Sequence, residues 1–119
     1  MTKADVLTPH PVATGRTPVL LLGVFDVLRR DVVDGIADLA ALVGPVTVGV
    51  LDDVTATQRR GRPPVATALD RVTVVRALRG VSEAQVIGLP QLEAVRSSPP
   101  AVVLWEVDGG LAGDPDALG

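Results

Sequence analysis

A chain of 119 residues, 47% of them hydrophobic, is the size of one domain and can bury roughly two thirds of the surface its unfolded form exposes. Its net charge of −3 leaves no surplus of positive charge to follow a phosphate backbone, so no nucleic acid partner is expected. The absence of cysteine excludes disulfides, thiolate metal sites and thiol nucleophiles, and fits a reducing cytoplasm.

Residues 1–17 show no hydrophobic period, are broken by Pro9, Pro11 and Gly15, and read as a flexible leader without a secretory pattern. From Val19 to Gly23 a continuous apolar run predicts a strand buried on both faces. Helical spacing follows over 31–44, through Val32, Ile36, Leu39 and Val43. Asp31 is the predicted N-cap there and Gly44 the stop. A second β-branched run covers 45–51, and the polar stretch Asp52 to Ala66, with Arg59, Arg60, Arg62 and Pro63-Pro64, reads as a loop. A second helix is predicted over 67–79 through Leu69, Val72, Val75 and Leu78, then a strand over 84–88. Pro90 opens a brief third helix through Leu92 and Val95. Residues 101–107 read as a fourth strand, and 109–119, rich in Gly and Asp, as a flexible tail.

With one Phe, one Trp and no Tyr, the core must be built from Val, Leu, Ile and Ala. Alternating strands and helices imply right-handed crossovers and an α/β fold over residues 18–108, a Rossmann-like three-layer sandwich. Its mainly parallel sheet of about four strands carries helices on both faces. No apolar run reaches membrane-spanning length, so no membrane partner is expected. Ligands of such sheets bind beyond the carboxyl ends of the strands, where strand order reverses.

Three segments in order resemble the cytidylyltransferase group of nucleotidyltransferases, which includes the glycerol-3-phosphate and ethanolamine-phosphate cytidylyltransferases. Leu22-Gly-Val-Phe-Asp-Val-Leu28 is similar to the family's Gly-Thr-Phe-Asp-Leu-Leu entry to the site. Val46 to Asp53 is similar to its second strand with a trailing acidic pair. Gly61-Arg-Pro-Pro64 followed by Leu69 to Glu83 resembles its helix and approach to the third strand. The resemblance spans about residues 19 to 107. It implies nucleotidyl transfer, in which the protein positions the reactants and stabilises charge on the α-phosphate.

The family pattern His-x-Gly-His falls on Arg29, Arg30, Asp31 and Val32, so both histidines are missing. A carboxylate at Asp31 would cap the helix and repel a phosphate from its N–H groups. The family's second signature, Arg-Thr-x-Gly-Ile-Ser-Thr-like, has no counterpart in 108–119, which holds neither a hydroxyl nor a basic side chain. His10, the one histidine, reads as a solvated leader residue.

The resemblance and the switch-point rule together make Gly23, Phe25, Asp26, Arg29, Arg30, Arg60 and Arg62 the candidate ligand-binding residues. No catalytic and no metal-ligating residue is assigned. Asp26, Glu106 and Asp108 as a Mg²⁺ set is the weaker reading beside solvated strand-end carboxylates. Arg71 and Arg76 read as salt-bridge or helix-surface residues, and Trp105 as a core or interface aromatic. The expected function is a non-catalytic, cytidylyltransferase-like subunit of the cytoplasm that self-associates, as a dimer, or binds a protein partner. Two alternatives stand beside it. One is a protein that holds a nucleotide or phosphorylated metabolite without turnover, with Mg²⁺ entering only beside a nucleotide. The other is a transferase using Arg29 or Arg30 in place of the histidines.

Overall fold

Five strands and four helices make up the computed structural model, which describes residues 19–98, 102–107 and 110–113. In chain order they are β1 (Val19–Gly23), α1 (Arg30–Val43), β2 (Val46–Leu51), α2 (Asp53–Arg60), α3 (Ala68–Arg76), β3 (Val81–Ile87), α4 (Leu89–Ser97), β4 (Val102–Val107) and β5 (Gly110–Ala112). The sheet runs β3-β2-β1-β4-β5. Its first four strands are parallel, with Leu20 beside Thr47 on one side and Val103 on the other. The α/β sandwich expected from the alternation is the observed fold.

Every residue of β1 and β2 is buried, because these two strands have a neighbour on each edge and a helix layer on each face. Side chains alternate between the faces along a strand. Leu20, Leu22 and Val24 join Ala56 of α2, Leu92 and Val95 of α4 and Trp105 in one core. Val19, Leu21 and Phe25 join Val32 and Ile36 of α1 and Val72 and Val75 of α3 in the other. Each such buried aliphatic side chain contributes about 1.5–3 kcal/mol.

Four expectations need correction. The predicted loop over 52–66 contains α2, whose low apolar content hid it: only Thr55 and Ala56 are buried. Asp52 caps it by accepting the Thr55 N–H at 2.7 Å, and Gly61 ends it in the left-handed region at φ 79°, where glycine carries no Cβ penalty. The N-cap of α1 is Arg29, not Asp31, which sits in the first turn, and no side chain caps this terminus. β3 begins at Val81 instead of 84, because its first residues pair with β2, Val46 beside Val81 and Thr47 beside Glu83. Within the expected tail, Gly110–Ala112 pairs antiparallel with β4, and Leu111 packs against the α1 side of the core. The expected leader and His10 lie outside the described residues.

Candidate functional site

β2 and β3 continue the sheet to one side of β1 while β4 joins its other side, so strand order reverses between β1 and β4. In an open α/β sheet the crevice beyond the carboxyl ends at that point is where ligands bind. The chain leaves β1 there through Val24, Phe25 and Asp26.

Phe25 has φ 53°, a left-handed conformation uncommon for an aromatic residue. Its ring is buried in the core on the α1 and α3 face, and its N–H donates to Oε1 of Glu106, on the neighbouring strand, at 3.1 Å. Gly23 makes room for this contact. A Cβ at position 23 would lie 2.7 Å from the Glu106 Cβ and 3.2 Å from its Oε1. The glycine expected to admit a ligand therefore admits a side chain of the same chain.

Asp26 faces the other way. Its carboxylate accepts the N–H groups of Val65 at 2.8 Å and Ala66 at 2.9 Å, and Arg60 lies 3.5 Å from it. Burial pushes the carboxyl upward, but the Ala66 and Val65 N–H groups and the Arg60 charge outweigh that and hold it below its ordinary 3.8. The side chain is only 7% exposed. Two of the predicted binding residues, Asp26 and Arg60, thus bind each other and tie the α2–α3 connection to the end of β1.

Arg71 completes that tie. The residue is 1% exposed, and its Nη1 donates to the carbonyls of Val24 at 2.7 Å and Leu51 at 2.8 Å. Nε donates to the Ala66 carbonyl at 3.0 Å, and Nη2 to Asp53 at 2.6 Å. The guanidinium fork satisfies the carboxyl ends of β1 and β2 together with the connection between α2 and α3. Arg71 makes a salt bridge, with Asp53 as its partner, and the helix-surface reading is overturned by burial. The signal was its spacing: Arg71, Val75 and Leu78 fall on one helical face, which placed a charge in a core-facing row.

The remaining predicted residues lie apart from this cluster. Arg29 and Arg30 are exposed at the start of α1, where Arg30 Nε pairs with Asp34 at 3.3 Å. Arg62 is exposed just past α2. Arg59, on the other face, lies over the Trp105 ring at 4.5 Å from its centroid, within cation–π range. Trp105 is a core residue, with its indole N–H unpartnered among the described residues. A cleft of about 430 Å³ lined by Arg76, Ser82, Glu83 and Gln85 lies along the outer edge strand β3, away from the β1–β4 reversal. There Arg76 Nε donates to the Ala84 carbonyl at 2.9 Å.

Among the described residues no group of three or more His, Cys, Asp or Glu side chains is placed to hold a metal ion. Asp26 and Glu106 each spend carboxylate oxygens on backbone N–H groups, which does not fit a shared Mg²⁺ site. Asp108 lies outside the described residues. The N-terminus of α1 has no side-chain cap, and Asp31 in its first turn sets a carboxylate beside its free N–H groups.

No protein-family model matches the chain. It is 36% identical over 91 residues to the FAD synthase of Pyrococcus abyssi, covering 74% of this chain and 61% of that protein. It is 34% identical over 88 residues to the FAD synthase of Pyrococcus horikoshii, covering 71% and 59%. The chain thus spans about three fifths of the length of these curated relatives. The lipopolysaccharide core biosynthesis protein from Thermoplasma volcanium shares its fold, with a TM-score of 0.60 at 24% identity over 75% of this chain and 73% of that one. The two sequence likenesses point to the cytidylyltransferase-like nucleotidyltransferase superfamily, and the structural one shows the fold. Among the described residues no helix is long and apolar enough to cross a membrane.

Proposed function

We propose that this chain is a cytidylyltransferase-like domain that does not transfer nucleotides and acts in the cytoplasm as a self-associating, dimeric or partner-binding subunit. The observation that carries the reading is the crevice between β1 and β4. The positions where relatives of the cytidylyltransferase type carry His-x-Gly-His hold Arg29, Arg30, Asp31 and Val32, and the Phe25 N–H at its mouth is engaged by Glu106. Stabilising charge on a phosphate in transit needs donors aimed at it. Arg30 is engaged with Asp34 on the exposed side of α1, which argues against its replacing an imidazole.

Exposed large apolar side chains support the association half of the reading. Val27, Val65 and Leu69 are exposed, and they belong to the segments that Asp26 and Arg71 tie together. Where exposed apolar side chains gather into one patch they mark interaction sites.

Pyrophosphate release with CTP or ATP tests the reading, using flavin mononucleotide as one acceptor because the curated relatives bear the name FAD synthase. No release above background is expected. Light scattering is expected to give a dimer mass. Release abolished by Arg29→Ala would replace the reading with that of an active transferase. A second reading, nucleotide or phosphometabolite binding without turnover, rests on the uncapped N-terminus of α1. Calorimetry with CTP and ATP, each with and without Mg²⁺, separates it from the first.

A further inference from the structure

We propose that Arg76 guards the open edge of the sheet: its guanidinium occupies the lane in which a further strand would pair with β3, and so keeps two copies of the chain from joining edge to edge. The inference goes beyond the association reading and bounds it, because a dimer must then form through another surface.

The two edges of the sheet differ in length. β5 forms one of them with three residues, Gly110–Ala112, too short to hold a partner strand. β3 forms the other with seven, Val81–Ile87, and among the described residues no strand lies beyond it. Backbone groups turn to alternate sides along a strand. The Ile87 carbonyl turns toward β2, where it accepts the Asp52 N–H at 2.7 Å, so the N–H and C=O groups of Ala84 and Val86 turn outward. Such a row is a template for another chain.

A second copy matches that template on sequence alone. In a two-fold antiparallel pairing centred on Ala84, each Ala84 meets its mate and Glu83 stands opposite Gln85. No like charges are opposed, the central side chain is small, and Val86 adds exposed apolar surface.

Arg76 obstructs this pairing at its centre. It is the last residue of α3, and its Nε donates to the Ala84 carbonyl at 2.9 Å. An added strand would place its own backbone nitrogen at about that distance. The guanidinium thus fills the central bonding position, inside the gap of about 4.7–4.9 Å that separates paired strands. A second copy would have to displace it or bury its charge, and an unpaired buried charge is costly. Arg76 also lines the cleft along this edge, with Ser82, Glu83 and Gln85, so the space a strand would enter has a cation in its wall. The start of β3 is blunted separately. Val46 pairs with Val81 and Thr47 with Glu83, which leaves Ser82 as an extra, bulged residue. The regular stretch that follows is the part Arg76 covers.

Light scattering over a concentration series, on the whole chain, tests the proposal with native protein, Arg76→Ala, Arg76→Gln and the double variant Arg76→Ala/Val86→Pro. Arg76→Ala clears the lane and should tighten self-association about tenfold or more relative to native. Arg76→Gln keeps much of the length, loses the charge, and should tighten it less. Proline at 86 removes an outward donor and no bond to β2, and should return the double variant to the native mass. Hydrogen exchange locates the contact: the Ala84 and Val86 amides should exchange fast in the native chain and become protected in concentrated Arg76→Ala.

An unchanged mass in both single variants, or a gain that Val86→Pro does not reverse, overturns the proposal. Protection of the Ala84 and Val86 amides in a native dimer overturns it too, and leaves the dimer reading standing with this edge as its surface. A native monomer that associates in Arg76→Ala supports the guard and ends the dimer reading. Should Arg76→Ala fail to fold, Arg76→Gln decides, because it removes the charge while retaining a side chain that reaches the edge.

Discussion

The two sides of β1 use charge in opposite ways at the same end of the sheet. Toward β2, Arg71, Asp53, Asp26 and Arg60 are paired with one another or with backbone groups, and the guanidinium of Arg71 is buried. Toward β4, a single carboxylate meets a single N–H, and the basic residues at the start of α1 are exposed. The first side is a scaffold whose charges are consumed by the fold. The second spends one carboxylate on one N–H and leaves its basic side chains at the surface.

The largest expected effect breaks the scaffold side. Arg71→Ala leaves the buried carbonyls of Val24 and Leu51 and the half-buried one of Ala66 without this donor, and should cost about 3–5 kcal/mol in urea unfolding. Arg71→Lys, a point charge in place of a fork, should recover only part of this. A loss below about 1 kcal/mol would mean that water replaces the guanidinium and that the two sides do not differ.

Gly23→Ala acts on the other side. Its Cβ would meet the Glu106 Cβ at 2.7 Å, an overlap that should cost about 1–3 kcal/mol. In the Glu106→Ala background Cβ is retained, so the penalty should persist there, whereas Glu106→Gly should relieve it. Thermal unfolding of the double variants measures the difference. A penalty independent of residue 106 would locate the crowding elsewhere, at the Phe25 ring 3.1 Å away.

Asp26→Asn should cost about 1–3 kcal/mol at neutral pH, through hydrogen bonds lost by a charged acceptor. The sign of its pH dependence follows from the carboxyl being held below its ordinary value. The folded state binds the proton less readily than the unfolded chain, so the stabilisation is complete above the unfolded value of 3.8 and is lost as pH falls through the folded one. Melts of native and Asp26→Asn protein should converge in acid. A gap that stayed constant with pH would show that packing, not the charge, holds the connection.

The smallest effect belongs to the exposed pair. Arg30 and Asp34 side chains are 91% and 61% exposed, and Arg30→Ala should change stability by about 0.5 kcal/mol or less. Its thermal midpoint should be nearly native.

Much of the architecture was readable from particular residues. The continuous apolar run at 19–23 and the β-branched run at 46–51 predicted burial on both faces, and the row Val32, Ile36 and Leu39 predicted a helix against them. α2 escaped because its helical face carries Thr55 and Ala56 in place of large apolar residues. β5 escaped because three residues gain strand character only from a neighbour. At the site, Gly23, Phe25, Asp26 and Arg60 were picked out by the family resemblance and the switch-point rule, but their roles were not visible. Asp26 and Arg60 have complementary charges and satisfy each other, so their presence in a motif says nothing about a ligand.

By itself the amino-acid sequence determined the order of the four parallel strands with α1, α3 and α4 between them, the two-faced burial of the central strands and the absence of histidine from positions 29 to 32. Those properties depend on local pattern and composition, which hold whichever strands become neighbours. Only the tertiary structure decided that Arg71 bonds carbonyls 20 and 47 residues away and that Glu106 meets an N–H 81 residues distant. Such partners follow from the sheet order β3-β2-β1-β4, because hydrogen bonds act over a few ångströms and are assigned only once the fold has chosen which chain ends lie side by side.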